Sequence, residues 1–352
     1  MLNPKLTMIT AASIASAQLW AGVEADDLRW SQLPALPDPL GVAGAFAGVS
    51  GGNLIVAGGA NFPGKMPWEG GKKVWHDTIY ALRTTNGLWR VAGKLPRPLG
   101  YGVSLTTEHG VLCIGGSDAM RHYDDVFLLV MAEGKLAVKP LPALPVPLAN
   151  GAGALLGNVA YVTAGSDQPG EQSALNRFFA LDLGRAKPAW QELPPCPGEA
   201  RILPAAGATK DSFYLAGGAA LRKVDGKIRR AYLRDAWKFT PGKGWSRLAD
   251  LPQPSVAAPS PAPVIDSTLL LVGGDDGSLA GFSPPELHPG FSKTVLALDL
   301  RTGTWTQFNG LPAARATLPV AEWNGFFVMP SGETRPGVRS PEVWTLRSGR
   351  TH

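Results

Sequence analysis

The fold of this chain is decided by the stretch Leu215-Ala216-Gly217-Gly218, because closely related stretches recur along the sequence. Each is a short run of strand-forming residues that ends in a pair of small residues. The six copies are Val56-Ala57-Gly58-Gly59, Cys113-Ile114-Gly115-Gly116, Thr163-Ala164-Gly165-Ser166, Leu215-Ala216-Gly217-Gly218, Leu271-Val272-Gly273-Gly274 and Met329-Pro330-Ser331-Gly332. Successive copies are 57, 50, 52, 56 and 58 residues apart, which indicates a repeat architecture.

The residues after each copy complete a unit of four strands. A variable segment leads to a second apolar run, such as Ile79-Tyr80-Ala81-Leu82, and most units then place a Trp before a Leu-Pro pair. The second unit lacks the Trp but keeps Leu141-Pro142. This is the kelch pattern, in which each unit forms one blade of a β-propeller. The 43 Gly and 32 Pro among 352 residues suit many short strands joined by tight turns.

The last unit is incomplete, and its missing strand lies at the other end of the chain. The sixth unit stops after Thr345-Leu346, whereas Trp30-Ser31-Gln32-Leu33-Pro34 has the sequence of the absent fourth strand. An N-terminal strand that completes the last blade closes the ring and removes its open edges. The sequence therefore predicts an all-β fold, a six-bladed kelch-type β-propeller in one domain over residues 26–352.

The first 25 residues differ from the rest of the chain. Lys5 precedes an uncharged stretch over residues 6–22, and small residues stand at cleavage-type spacing in Ala15-Ser16-Ala17 and Val23-Glu24-Ala25. This layout predicts a signal peptide over residues 1–25, a mature chain that begins near residue 18 or 26, and a periplasmic or secreted location. The alternative is a disordered tail. No later stretch is apolar for the ~18 residues that a transmembrane helix needs.

Charge and cysteine content argue against several classes of partner. The net charge is +5, and the longest basic stretch, Lys227-Ile228-Arg229-Arg230, is interpreted as a solvated loop. Nucleic-acid binding is therefore not predicted. The two cysteines cannot form a disulfide framework and have no metal-ligand spacing, and Cys113 lies in an apolar run that predicts a buried thiol. No metal, cofactor or membrane partner is predicted.

Length varies mainly in one set of connections, those between the second and third strands of each unit. They cover residues 60–75, 117–123, 166–175, 219–231, 275–291 and 332–340. Equivalent connections of a propeller emerge on one face, so these six loops are expected to surround one mouth of the central channel. Their many polar and aromatic side chains predict a binding site there, the alternative being a merely solvated face.

The most informative of these loops is Ser331-Gly332-Glu333-Thr334-Arg335-Pro336-Gly337-Val338-Arg339. Glu333 directly follows a strand-end pair, so its carboxylate is expected near the channel mouth. A carboxylate beside arginines suits an anionic sugar, with Arg binding the substrate carboxylate and Glu moving protons. A plain surface salt bridge is the alternative. The arginines should lower the pKa of Glu333 and burial should raise it, and the sequence leaves both outcomes open.

Four segments resemble the kelch-type N-acetylneuraminate epimerases, also called sialate mutarotases, from about residue 28 to the end of the chain. They are Gly41-Val42-Ala43-Gly44-Ala45-Phe46-Ala47-Gly48, Ala57-Gly58-Gly59-Ala60-Asn61-Phe62, Tyr101-Gly102-Val103-Ser104-Leu105 and the loop around Glu333. The first two segments are N-terminal here, which matches the cyclically permuted mutarotase subgroup. Ser331 stands where that family typically has Asn.

The resemblance implies an isomerase that interconverts the α and β anomers of N-acetylneuraminic acid, or of a related acidic sugar, without a cofactor. It makes Glu333 the catalytic proton acceptor and directs Glu69-Gly70-Gly71-Lys72-Lys73 toward the pocket. The predicted substrate-binding residues are Arg335, Arg339, Glu69, Lys72, Lys73, Asn61 and His76. The acid that protonates the ring oxygen is left open between Lys72, Lys73, His76 and water.

The main alternative function is a non-catalytic kelch module that binds glycans or proteins through the same loops. Two other classes fit poorly. A kelch-type copper oxidase needs a Tyr–Cys crosslink with paired His ligands, which the two Cys and five His do not offer. A sialidase is expected to contain Ser-x-Asp-x-Gly-x-x-Trp boxes, and the sequence has none.

Overall fold

Six four-stranded antiparallel sheets form the ring that the repeat predicts. The structure is a computed structural model, and it describes residues 23–170 and 172–349. The predicted signal peptide therefore lies largely outside the described residues. In the described part, helix is limited to three short 3-10 turns, Ala25–Asp27, Pro67–Glu69 and Pro285–Leu287, none long and apolar enough to cross a membrane.

Each sheet is one blade, numbered here in the order in which the units follow along the chain. Blades 1 and 2 contain Phe46–Ser50, Asn53–Ala57, Thr78–Leu82 and Arg90–Lys94, then Val103–Thr107, Gly110–Ile114, Val126–Ala132 and Lys135–Leu141. Blades 3 and 4 contain Ala152–Leu156, Val159–Thr163, Phe178–Asp182 and Trp190–Leu193, then Ala205–Ala208, Phe213–Ala216, Ala236–Thr240 and Gly244–Arg247. Blades 5 and 6 contain Val264–Ile265, Thr268–Val272, Thr294–Asp299 and Thr304–Asn309, then Ala321–Trp323, Phe326–Pro330, Val343–Ser348 and Leu28–Leu33.

The N-terminal strand closes the ring, as predicted. Leu28–Leu33 pairs antiparallel with Val343–Ser348, in a register that runs from Leu28 opposite Ser348 to Leu33 opposite Val343. The segment before this strand is also fixed, because Val23 is only 2% exposed and belongs to the apolar cluster between blades 5 and 6. Both ends of the propeller domain therefore lie in one blade, and its outer edge consists of the N-terminal strand.

The recurring Trp and Leu-Pro residues join neighbouring blades. In four blades the indole Nε1 of the outer-strand Trp donates a hydrogen bond to a backbone carbonyl beside the Leu-Pro segment of the preceding blade. These bonds are Trp89 to Pro34 (2.7 Å), Trp190 to Pro142 (2.9 Å), Trp245 to Pro194 (2.9 Å) and Trp305 to Ala249 (2.9 Å). The first of them connects blade 1 to the N-terminal strand of blade 6. The repeat is thus preserved by contacts between blades as well as by strand pairing within each blade.

A closed circle of backbone hydrogen bonds surrounds the central channel. At the entry to each inner strand one residue has a positive φ, and its N–H donates to the carbonyl of the equivalent residue in the preceding blade at 2.7–2.8 Å. The six residues are Gly44, Tyr101, Asn150, Leu203, Ala257 and Thr317, and Gly44 donates back to Thr317. Five of them are not glycine and adopt a conformation that L residues rarely populate. The circle therefore holds all six blades at one radius.

Apolar side chains pack between neighbouring blades rather than in one central core. Six buried clusters fill these interfaces, and a seventh lies near the axis around Ile202, Val256 and Ala316. Cys113 is a free, buried thiol, as predicted, and burial raises its pKa well above the ordinary value. Cys196 is also free, and burial raises its pKa to about 11.

The interpretation of residues 227–230 as a loop is wrong. The stretch belongs to a β-hairpin that projects from blade 4, in which Ala219–Val224 pairs with Lys227–Tyr232. Asp225 and Gly226 form its turn with φ angles of 50° and 76°. Asp-Gly is a strong signal for a two-residue hairpin turn, so the sequence contained the evidence for this element. Its side chains are mostly exposed, but it carries Arg230 to the channel mouth.

Candidate functional site

One mouth of the central channel holds a cavity of about 320 Å³, here called the mouth cavity. All six variable connections contribute to its wall, for example through Lys73, His122, Gly170, Arg230, Asp275 and Glu333. Its floor includes Tyr101, Asn150 and Thr317 of the hydrogen-bonded circle. The predicted loop-lined pocket is therefore present, and a cavity of this size falls within the range of small-molecule sites.

Glu333 occupies a repeated position at the base of this wall. Its backbone forms two hydrogen bonds of 2.9 Å with Ala316, and the same bridge recurs in every blade. The equivalent residues of blades 1 to 5 are Ala60, Ser117, Ser166, Ala219 and Asp275. The blade framework therefore fixes the Glu333 backbone independently of the longer loops.

Ser331 supports this position from behind. It is fully buried, its Oγ accepts a hydrogen bond from the Val42 N–H at 2.7 Å, and it donates to the Ser340 carbonyl at 2.7 Å. The hydroxyl thus joins the inner edge of blade 1 to both ends of the Glu333 loop. Ser331 therefore stabilises the loop, at the position where the N-acetylneuraminate epimerases that the sequence resembles typically have Asn.

The carboxylate of Glu333 is largely buried and surrounded by cations. Its Oε1 lies 2.7 Å from Nη2 of Arg339, and the side chain is 16% exposed. Burial raises the pKa of Glu333 above the ordinary glutamate value, against the opposing charges of Arg339, Lys73 and Arg230. The sequence left open whether burial or the neighbouring cations determine the pKa of Glu333, and in the structure the effect of burial is the larger. A carboxyl with a raised pKa is a better proton acceptor than an exposed glutamate.

Arg339 and Arg335 point in different directions. The Arg339 side chain is 3% exposed, lies 4.8 Å from the Phe62 ring centroid, and donates from Nε to the Ala60 carbonyl at 3.3 Å. It contacts Glu333 from behind and is not part of the cavity lining. Arg335 donates to the carbonyls of Glu286 and His288, with its guanidinium 5.6 Å from the Trp68 ring centroid. Neither guanidinium lines the mouth cavity.

Lys73 is the lysine of the predicted loop that reaches the cavity. Its Nζ lies 5.4 Å from the Trp75 ring centroid and 4.9 Å from that of Tyr101, and all three residues line the cavity. Lys72 is exposed and lies outside the lining. Lys73 and Trp75 face inward while Lys72 and Val74 face outward, a period of two that extends the short strand Val74–Trp75.

The other three predicted residues lie around the cavity rather than in its lining. His76 Nε2 is 2.9 Å from Oδ1 of Asn61, and Asn61 Nδ2 donates to the Gly41 carbonyl at 2.9 Å. Glu69 accepts a hydrogen bond from the Met66 N–H at 2.9 Å and so closes its own 3-10 turn. The structure thus brings Glu333 and Lys73 together on the wall, with Arg339 behind Glu333. The substrate contacts of the remaining residues stay predictions.

Several lining residues were not among the predicted site residues. Asp118, His122, Asp275 and Arg230 lie on the variable connections, Arg230 within the hairpin, whereas Asn150 belongs to the circle. Tyr232 donates a 2.8 Å hydrogen bond to Asp275, and Tyr123 donates a 2.5 Å bond to Asp118. In residues 23–170 and 172–349, no His, Cys, Asp and Glu side chains gather in a group of three or more that could hold a metal ion.

In sequence, the chain is similar to N-acetylneuraminate epimerases. The family model for N-acetylneuraminate epimerase matches residues 11–138 and 141–282. The N-acetylneuraminate epimerase of Salmonella enteritidis PT4 (strain P125109) is 37% identical over 152 residues, which cover 40% of this chain and 39% of that protein. The N-acetylneuraminate epimerase of Haemophilus influenzae (strain PittEE) is 42% identical over 106 residues, which cover 26% of this chain and 28% of that protein. The alignments thus span less than half the length of these curated relatives.

A solved structure described as "Structure of YjhT" has the same fold. It superposes with a TM-score of 0.68 at 15% sequence identity, covering 91% of this chain and 98% of that chain. The Glu333 loop lies beyond the residues that the family model matches, so its place in the site rests on the geometry given above. The permuted order of the blades stays a prediction.

Proposed function

Because the chain belongs to the N-acetylneuraminate epimerase family, we propose that it interconverts the α and β anomers of N-acetylneuraminic acid or a related acidic sugar. One observation carries the proposal. The Glu333 carboxylate is held on the wall of the mouth cavity with a raised pKa, while Lys73 and Arg230 supply positive charge on the same wall. A buried proton acceptor beside cations suits acid–base chemistry on an anionic sugar.

The reaction needs a proton removed at one oxygen and a proton delivered to another. Glu333 takes the proton of the anomeric hydroxyl, and the electrons of that O–H bond form the ketone C=O bond. The bond between the anomeric carbon and the ring oxygen breaks, and the ring oxygen takes a proton. Rotation of the open chain and reclosure on the other face give the second anomer, so no net oxidation or hydrolysis occurs.

The substrate carboxylate remains charged throughout this reaction and needs a fixed cation. Lys73 is suited to this task because two aromatic rings hold its ammonium group at the cavity wall. Arg230 adds a guanidinium from the hairpin of blade 4. Arg339 stabilises the ionised form of Glu333 at 2.7 Å, which opposes the effect of burial and keeps the carboxylate available as a base.

Anomerisation by the wild-type protein is the direct test of this proposal. One-dimensional proton NMR follows α-N-acetylneuraminic acid, freshly released by a sialidase, with and without the protein. We expect the approach to the α/β equilibrium to be faster with the protein, and the anomerisation of glucose, which has no carboxylate, to be unchanged. Line broadening of the sugar signals without faster anomerisation would instead support the alternative, a non-catalytic glycan-binding module.

Export is the second part of the proposal, with a periplasmic or secreted location. Cleavage after Ala25 would remove Val23, which is 2% exposed in the cluster between blades 5 and 6. We therefore expect the mature chain to begin near residue 18, after Ala15-Ser16-Ala17, rather than at residue 26. N-terminal mass spectrometry of the natively expressed protein measures this start. An intact Met1 in the cytosolic fraction would contradict export, and a start at residue 26 would contradict the choice of site.

A further inference from the structure

His122 lines the mouth cavity from the blade 2 connection, at the place where that connection meets blade 3. Its ring Nδ1 is 3.0 Å from the backbone carbonyl oxygen of Ser166, and His122 itself lines the mouth cavity. Ser166 holds in blade 3 the bridge position that Glu333 holds in blade 6. Blades three apart in a closed ring of six face each other across the axis. His122 contacts blade 3, which faces blade 6, so its imidazole can approach a bound sugar from a different side than the Glu333 carboxylate.

The hydrogen bond to Ser166 determines which nitrogen of the neutral His122 ring carries the hydrogen. A carbonyl oxygen can only accept, so Nδ1 carries the hydrogen of this bond. In the described part of the chain Nε2 makes no hydrogen bond, and it remains the ring atom through which the imidazole can exchange a proton with a ligand. His122 is 8% exposed, so this exchange takes place at a largely buried, oriented ring.

Two other titratable groups of the cavity lining, Asp118 and Lys73, are less suited to this role. Asp118 accepts hydrogen bonds from the Tyr123 hydroxyl and from the N–H groups of Met120 and Arg121, so both of its oxygens are occupied. Lys73 belongs to blade 1, next to blade 6, and its charge acts on Glu333 from the same side. Of the residues that the structure describes, His122 is the one imidazole in the cavity lining.

We propose that His122 is the second proton-transfer residue of this site and acts on the ring oxygen while Glu333 acts on the anomeric hydroxyl. The inference rests on the proposed anomerisation. In ring opening, the ring oxygen takes its proton from Nε2 as the bond to the anomeric carbon breaks. In reclosure, Nε2 takes the proton of the open-chain hydroxyl and Glu333 returns its proton to the ketone oxygen. Both residues end each turnover in their starting protonation states.

Catalysis then requires one proton shared between the two residues. Burial lowers the pKa of His122, against the hydrogen bond to Ser166 and the charges of Asp167 and Asp118. Besides Asp118, the charged groups that line the cavity around it are Lys73, Arg230, Asp275 and Glu333. The rate should fall in acid, where both residues are protonated, and in alkali, where neither is. Such a bell-shaped profile reports the two macroscopic pKa values of the pair.

The pH profile of anomerisation tests the proposal. For His122→Gln, we expect a rate loss of about a hundredfold, within the range of general acid–base catalysis, and the disappearance of one limb of the bell. His109→Gln is the matched control, since His109 is an exposed histidine on the Thr107–Gly110 turn of the same blade, and it should keep both limbs. Circular dichroism verifies that each variant is folded.

A second measurement requires no folded variant. The chain has five histidines, so ¹⁵N spectra of the wild-type protein can resolve His122, which is assigned by sequential connectivities to its neighbouring residues in the wild-type protein itself. We expect the neutral form to carry its hydrogen on Nδ1. An Nε2–H tautomer, or a His122→Gln variant with the wild-type rate and both limbs, would overturn the assignment while leaving the proposed function intact. If the wild-type protein does not accelerate anomerisation, the proposed function fails and this inference fails with it.

Discussion

Glu333→Gln is expected to slow anomerisation by about 10²–10⁴-fold, the usual contribution of a general base. Glutamine keeps the size of the side chain, and its amide oxygen can still accept the hydrogen bond from Nη2 of Arg339. What it lacks is the basic carboxylate. Because burial raises the pKa of Glu333, the acid limb of the wild-type rate should lie above the pH range of an ordinary glutamate, near 4.3. Proton NMR of the two anomers measures both quantities.

Glu322→Gln is the matched control for this variant. Glu322 belongs to the same blade, in the strand Ala321–Trp323, but its side chain is exposed and lies outside the mouth cavity. The same change of charge should leave the anomerisation rate at the wild-type value. A Glu333→Gln protein that is folded and still anomerises the sugar at the wild-type rate would remove Glu333 from the chemistry.

The architecture could be predicted from the sequence because each propeller blade repeats the same strand ends and the same contacts with its neighbours. The small-residue pairs mark strand ends, and the outer-strand tryptophans mark contacts between blades. Trp30 lies near the N-terminus although it has the sequence context of a fourth strand, and this predicted that Leu28–Leu33 pairs with the last strand and closes the ring. The closed circle of backbone bonds was not predictable in the same way, because Tyr101, Leu203 and Thr317 share no residue type. Their common property is a positive φ, which these side chains do not signal.

The site was predicted at the level of loops and only partly at the level of side chains. Glu333 follows directly from a strand end, so its position depends on the blade alone. The directions of Arg335 and Arg339 depend instead on contacts with Glu286 and Ala60, which are distant in sequence. His122 reaches its position through the Ser166 carbonyl of the next blade. These placements are tertiary, and a single sequence contains no local signal for them.

A buried ion pair in blade 4 leads to the largest expected effect on stability. The Arg201 side chain is 2% exposed and Asp235 is 14% exposed, and their two parallel hydrogen bonds measure 2.7 and 2.6 Å. Arg201 also donates to the Gly217 carbonyl at 3.0 Å, at the strand end of blade 4, and the Trp237 indole donates to Asp235 at 2.6 Å. The pair thus joins the segment that enters the blade to its third strand.

Arg201→Ala is expected to lower the free energy of unfolding by about 3–5 kcal/mol, because it leaves the Asp235 carboxylate buried without its partner. Arg97→Ala provides the matched control. Arg97 pairs with Asp125, which precedes the third strand of blade 2 as Asp235 precedes that of blade 4, but these side chains are 35% and 41% exposed. An ion pair in contact with water contributes about 0–1 kcal/mol, and the contact of Arg97 with the Tyr123 ring adds about 0.5–1 kcal/mol, so the control should lose clearly less than Arg201→Ala. Urea unfolding of the three proteins at neutral pH measures the difference.

The pH dependence of the same experiment identifies the cause of the loss. Although burial acts to raise it, the hydrogen bonds from Arg201 and Trp237 hold the pKa of Asp235 below its ordinary value. A carboxyl with a lowered pKa stabilises the folded protein above its unfolded pKa, near 3.9, and this contribution is lost as the pH falls through the folded value. The difference in the free energy of unfolding between the wild-type protein and Arg201→Ala should therefore become smaller at acidic pH. If Arg201→Ala and Arg97→Ala lowered the free energy of unfolding equally at neutral pH, burial would not make the Arg201–Asp235 pair more important for stability than an exposed pair.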